Sequence, residues 1–150
     1  MKKSSGFTII EILVAMGIIV ILITMVVVVL NPPRQLAKGR NARRSADVNI
    51  ILNAAARNMA DNKGAFVCTS GVIPTTTKKM AAGGENYNIA PCLIPLYLDN
   101  LPYDPATTSA HYTSVADYDT GYTIVSSSTT GRVTISAPAA ELGESISVTR

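Results

Sequence analysis

The sequence predicts an α+β fold, a long N-terminal helix followed by a small antiparallel sheet, and three observations carry that prediction. Phe7 to Leu30 is a continuous apolar run. Apolar residues then recur at helical spacing between Val48 and Met59. The last 40 or so residues break into short, partly alternating segments separated by turn residues.

The first helix follows from composition alone. Between Phe7 and Leu30 every residue is apolar or small except Thr8, Glu11 and Thr24, and a helix of that length spans about 36 Å, enough to cross a bilayer core. A short polar stretch with Lys2 and Lys3 precedes it, which superficially resembles a secretory signal peptide. The run is longer than a signal core, however. It is followed by Asn31-Pro32-Pro33-Arg34 and not by a small-residue cleavage site, so the segment is expected to stay in the mature protein. Pro32 and Pro33 lack N–H donors and bias Asn31 away from helical dihedrals, which places an end or a kink there.

Helical spacing resumes beyond the prolines. Val48, Ile51, Leu52, Ala55 and Met59 form one face, while Asp47, Asn49, Asn53 and Arg57 fall mostly away from it. Asn62-Lys63-Gly64 is a stop signal, with Lys63 suited to the helix dipole and Gly64 to a left-handed cap. From Ala65 to Pro105 no period holds, and Gly71, Pro74, Gly83, Gly84, Pro91, Pro95, Pro102 and Pro105 mark a long loop region with short elements. Strands are expected at Tyr112–Ser114, Gly121–Ser126, Arg132–Ala137 and Ser145–Thr149, with Ser127–Gly131 as a hairpin connection. Four segments result: 1–6, a leader; 7–30, the membrane or assembly helix; 31–63, its amphipathic continuation; and 64–150, the loop and sheet region.

The carboxylate of Glu11 is the anomaly of the apolar run. A charge inside a hydrocarbon-length helix costs about 2.5–3.5 kcal/mol, and no Lys, Arg or His lies between Lys3 and Arg34 to pair with it. Lys2-Lys3-Ser4-Ser5-Gly6 followed by Phe7-Thr8-Ile9-Ile10-Glu11 resembles the leader and processing site of type IV prepilins and type II secretion pseudopilins. Gln35 to Asp47 and Leu101-Pro102-Tyr103-Asp104-Pro105 are similar to the same sequences. The resemblance implies a pilin-like fold and cleavage after Gly6 by a prepilin peptidase. Phe7 then becomes the N-methylated first residue, and Glu11 pairs with the terminal amine of a neighbouring subunit during assembly. A plain signal anchor with an acidic residue near its end is the competing reading. The basic residues, two before the span and five after it, would by themselves place the larger part in the cytoplasm. The resemblance implies the opposite topology.

The formal charge is +3, of which Lys2 and Lys3 supply two, so net charge says little about partners. Locally, Arg34, Lys38, Arg40, Arg43 and Arg44 form a basic collar before Asp47, open to three readings: a phospholipid-facing patch, a subunit contact in a filament, or a DNA track. Cys68 and Cys92 suit a disulfide in an exported domain, one that would stabilise by about 3.5 kcal/mol in the chain-entropy model. Calcium is a weak expectation drawn from the major pseudopilins. Asp117 and Asp119, with Asp104 or Glu141, would supply oxygen ligands, but Gly121 and Ser128 stand where further ligands are wanted and a solvated turn is the plainer reading. One histidine, His111, no Cys-x-x-Cys, no nucleophile motif and no phosphate loop argue against an enzyme and imply no other cofactor.

The expectation is therefore a structural subunit of a type IV pilus or pilus-like filament, held in the cytoplasmic membrane before assembly and in an extracellular filament after it. Its expected partners are copies of itself, other pilins, the prepilin peptidase, an assembly ATPase and membrane platform proteins. Two alternatives stand beside it: a type II secretion pseudopilin, and an anchored binding domain that never polymerises.

Overall fold

The computed structural model describes residues 6–150, in two units, 6–36 and 37–150, each taken by itself. Helix α1 runs Ile9–Leu30. Its N-cap is Thr8, whose hydroxyl accepts from the Glu11 N–H at 3.3 Å and satisfies one of the first-turn donors. It stops at Asn31, which adopts left-handed dihedrals (φ 45°) because the two prolines that follow cannot extend the hydrogen-bond ladder. Helix α2 then runs Pro32–Asp61. Pro32 at its first position costs nothing, since that N–H would be unpaired in any case. The helix ends where Lys63 and Gly64 both take positive φ and the Gly64 N–H reaches back to the Met59 carbonyl at 2.8 Å.

In the second unit, α2 buries Val48, Ile51, Leu52 and Ala54 in one hydrophobic cluster with Tyr118, Tyr122, Ile124, Val133, Ile135 and Ala137 of the sheet, and Ala55 of the same helix is buried as well. The stripe read from the sequence is thus the face that seats on the sheet, with Met59 at its edge. The sheet has five antiparallel strands, β1 (Lys78–Ala81), β2 (His111–Ser114), β3 (Asp117–Ser126), β4 (Val133–Ala137) and β5 (Ile146–Thr149). A one-turn helix, α3 (Ala90–Leu93), lies between β1 and β2.

Strand β3 organises the sheet. Asp119 faces Ala81 of β1 and His111 of β2, while Thr123 faces Lys79 of β1 and Ser136 of β4. Strand β1 therefore covers one edge of β3, and β2 and β4 share the other in succession. Strand β5 pairs outward from β4, with Ser136 opposite Ser147. The expected start of this strand at Gly121 is corrected: Asp117–Gly121 is no solvated turn but the first half of β3. Tyr118, Thr120, Tyr122 and Ile124 alternate inward from it, all but fully buried.

Candidate functional site

Two places in the chain combine unusual side chains with a structural reason for them. The first is α1. None of its 22 residues is buried. Ile9, Ile10, Leu13 and the Val26–Leu30 run are all exposed, as is Phe7, which is 78% exposed. A helix about 33 Å long that is apolar all round and finds no cover in its own unit is built for a bilayer or for other helices. Glu11 sits in its first turn, where the helix dipole favours a carboxylate, and has no salt-bridge partner among the described residues. Gly6 is described and exposed, whereas the leader residues 1–5 lie outside the described residues.

The second place is the inner end of the basic collar, where α2 meets two loops of the sheet region. Arg44 is 1% exposed and its guanidinium grips Asp104, whose side chain is wholly buried, through Nε to Oδ2 at 2.6 Å and Nη2 to Oδ1 at 3.1 Å. Its Nη1 donates to the Asn41 Oδ1 at 2.9 Å and to the Glu141 Oε2 at 2.8 Å. One turn earlier, Arg40 binds Glu141 with both Nε (2.7 Å) and Nη2 (2.6 Å). Asn41 completes the join by donating to the Glu141 carbonyl and the Glu144 carboxylate and accepting from the Glu141 N–H. This is a clasp of one helix on the 101–107 and 138–144 loops, with every buried side-chain donor and acceptor among the described residues satisfied.

Protonation follows from the contacts. Burial works against the Asp104 carboxylate, but the Arg44 guanidinium and the Ala106 and Thr107 N–H groups outweigh it and hold the carboxyl below its usual range. Hydrogen bonds from Arg40 and then Arg44 bring Glu141 down to about 2. Asp104 raises Arg44 further above the ordinary guanidinium value, against the desolvation that burial imposes. Asp47, one turn on, moves the other way: burial raises it, only partly offset by the Tyr122 hydroxyl, which donates at 2.8 Å. A few residues along, Gly121 adopts φ 73° on β3 just where Asp104 approaches, and an added Cβ there would meet the Asp104 Cβ at 3.0 Å. The Asp104 N–H bonds to the Thr120 carbonyl at 2.9 Å, on the stretch of β3 between β2 and β4.

The collar expected from the sequence is therefore divided. Arg44 is buried in the domain, while Arg40 stays about one-third exposed, and both are neutralised by acids of the same chain. Arg43 stays 59% exposed with a loose approach to Asp47 at 3.9 Å, and Arg34 and Lys38 are exposed. Nothing in the sequence links Arg44 to Asp104 or Glu141, which lie 60 and 97 residues away. The carboxylates named for calcium have protein partners: Asp117 faces His111, Asp119 faces Lys79 and the Gly121 N–H, and Asp104 and Glu141 belong to the clasp. Among the described residues no group of three or more His, Cys, Asp or Glu is placed to hold a metal ion. Cys68 and Cys92 are joined, with Cα atoms 4.9 Å apart.

Residues 1–27 match the family model described as the prokaryotic N-terminal methylation motif. No curated protein and no solved structure matches the chain.

Proposed function

Because the chain opens with the prokaryotic N-terminal methylation motif, the class III signal peptide of type IV pilins and pseudopilins, we propose that it is the precursor of a subunit of a type IV pilus or pilus-like filament. The observation that carries the reading is the conjunction of this motif with α1, a 22-residue helix that is apolar on every side and uncovered by its own unit. A prepilin peptidase cuts after Gly6 and methylates the Phe7 amine. The subunit waits in the membrane on α1, then leaves it when α1 exchanges lipid for the helices of other subunits, driven by an assembly ATPase and membrane platform. Lipid and a bundle of like helices are nearly equivalent surroundings for Ile, Leu and Val, so apolar packing alone fixes no register.

Glu11 supplies the register. In lipid its carboxylate costs about 2.5–3.5 kcal/mol, a cost relieved when it meets the Phe7 amine of a neighbour, four residues from its own position in the motif. Repeated head to tail, that contact does not close and so builds a helix of subunits. The test is Glu11→Ala in a strain that makes the filament. Cleaved subunit is expected to accumulate in the membrane with few or no filaments by electron microscopy. Filaments in normal number and length from that variant would refute the role given to Glu11.

A further inference from the structure

The Cys68–Cys92 bridge joins two loop segments, and a single side chain of α2 touches the backbone of both. Asn58 is 4% exposed. Its Oδ1 accepts from the Val67 N–H at 2.9 Å and its Nδ2 donates to the Val67 carbonyl at 3.0 Å, a two-point grip on the residue just before Cys68. The same Nδ2 donates to the Cys92 carbonyl at 3.2 Å. Three hydrogen bonds of one amide thus hold both cysteine segments against a helix that is itself anchored in the core. None of the three involves sulfur, so all of them are available before the bridge forms.

We propose that Asn58 is the positioning residue for closure of the Cys68–Cys92 bridge, holding the two thiols in facing places in the reduced, folded chain. The idea does not depend on the filament reading. Oxidation by glutathione disulfide balances as follows: one protein thiolate attacks the glutathione disulfide and releases one glutathione thiolate. The second protein thiolate then attacks the mixed disulfide, forms the Cys68–Cys92 bond and releases the second glutathione thiolate. Two protein protons and two electrons pass to the two glutathione thiols. The second step is intramolecular, and its advantage is the effective concentration of one thiol at the other. Both cysteines are half-buried and border an open cleft of about 550 Å³ lined by Val67, Thr69, Pro91, Ile94 and Leu96, which gives a thiol reagent access.

The bonds to Asn58 and the bridge act on the same two segments, so each strengthens the other, and the coupling is reciprocal. The experiment is equilibration of the detergent-solubilised full chain in glutathione redox buffers, followed by acid quench and thiol counting, to obtain the effective concentration of the Cys68–Cys92 pair. Asn58→Ala is expected to lower it about tenfold. Asn58→Asp retains an acceptor for the Val67 N–H but sets a carboxylate oxygen against the Val67 and Cys92 carbonyls in place of both donations, and a fall at least as large is expected. Asn62→Ala, whose amide bonds only the Asn58 backbone carbonyl, and Ile135→Val in the sheet core leave it within about twofold, because neither side chain hydrogen-bonds the cysteine segments. Where Asn58→Ala fails to keep the helical circular dichroism of the native chain, Asn58→Asp decides. An effective concentration unchanged in the folded Asn58 variants, or lowered equally by Ile135→Val, would overturn the proposal.

Discussion

Replacing Arg44 by alanine removes the centre of the clasp, and its cost is set by what stays behind. The Asp104 side chain is wholly buried and keeps only the Ala106 and Thr107 N–H donors after the guanidinium is gone, while Asn41 and Glu141 each lose a bond. Removing one member of a buried ion pair costs about 3–5 kcal/mol, most of it the uncompensated charge of the partner. For a unit the size of residues 37–150, 1 kcal/mol lowers the melting temperature by about 4 °C, so Arg44→Ala is expected to lower it by about 12–20 °C. Near-ultraviolet dichroism of the tyrosines reads this, since Tyr118 and Tyr122 are in the sheet core. Arg40→Ala is the control. Its pair with Glu141 is about one-third exposed on both sides, so water replaces much of what is lost and the shift is far smaller. Arg44→Lys keeps the charge but loses the fork geometry and falls between the two. Equal small shifts for Arg44→Ala and Arg40→Ala would show that the buried pair does not hold the loops.

Two further perturbations test the same join. Glu141 titrates near 2 in the folded chain against an ordinary 4.5, so its contribution is complete above about pH 4.5 and is lost as pH falls through about 2. Asp104 and Asp119, also lowered, slope the same way, and Asp47, raised by burial, slopes oppositely. Melting temperature is expected to fall between pH 4.5 and 2, and Glu141→Gln to flatten that fall; an unaltered slope in the variant would contradict the assignment. Gly121→Ala combines a positive φ with a Cβ 3.0 Å from Asp104, and a cost of about 1–3 kcal/mol is expected in chemical denaturation. A variant as stable as the parent would show that β3 relaxes there freely.

How much of this was legible depended on whether the signal was local. The helix stripe from Val48 to Met59 could be read because its spacing alone says which face is buried, and the break at Asn31 because two prolines impose it. Strand β1 gave no such signal. Lys78-Lys79-Met80-Ala81 buries two adjacent residues instead of alternating ones, and the register slips between Lys79 and Ala81, so it is a strand only because β3 lies beside it. The first half of β3 did carry alternation at Tyr118, Thr120, Tyr122 and Ile124, but the flanking Asp117 and Asp119 looked like turn chemistry. The clasp was hidden for a different reason. A run of five basic residues reads as one surface, and only the folded chain separates Arg40 and Arg44, which meet acids 60 to 101 residues on, from Arg34, Lys38 and Arg43. Glu11 is the reverse case, a single charge visible at once in an apolar run, whose role no contact within the described residues defines.

The measurement closest to the central claim is the mass of the N-terminal peptide from chain isolated from its native membrane or filament fraction. The account predicts a peptide that begins at Phe7 and is heavier by one methyl group on its terminal amine. A peptide that still carries residues 1–6 joined to Phe7 would contradict it, leaving α1 as an ordinary membrane anchor.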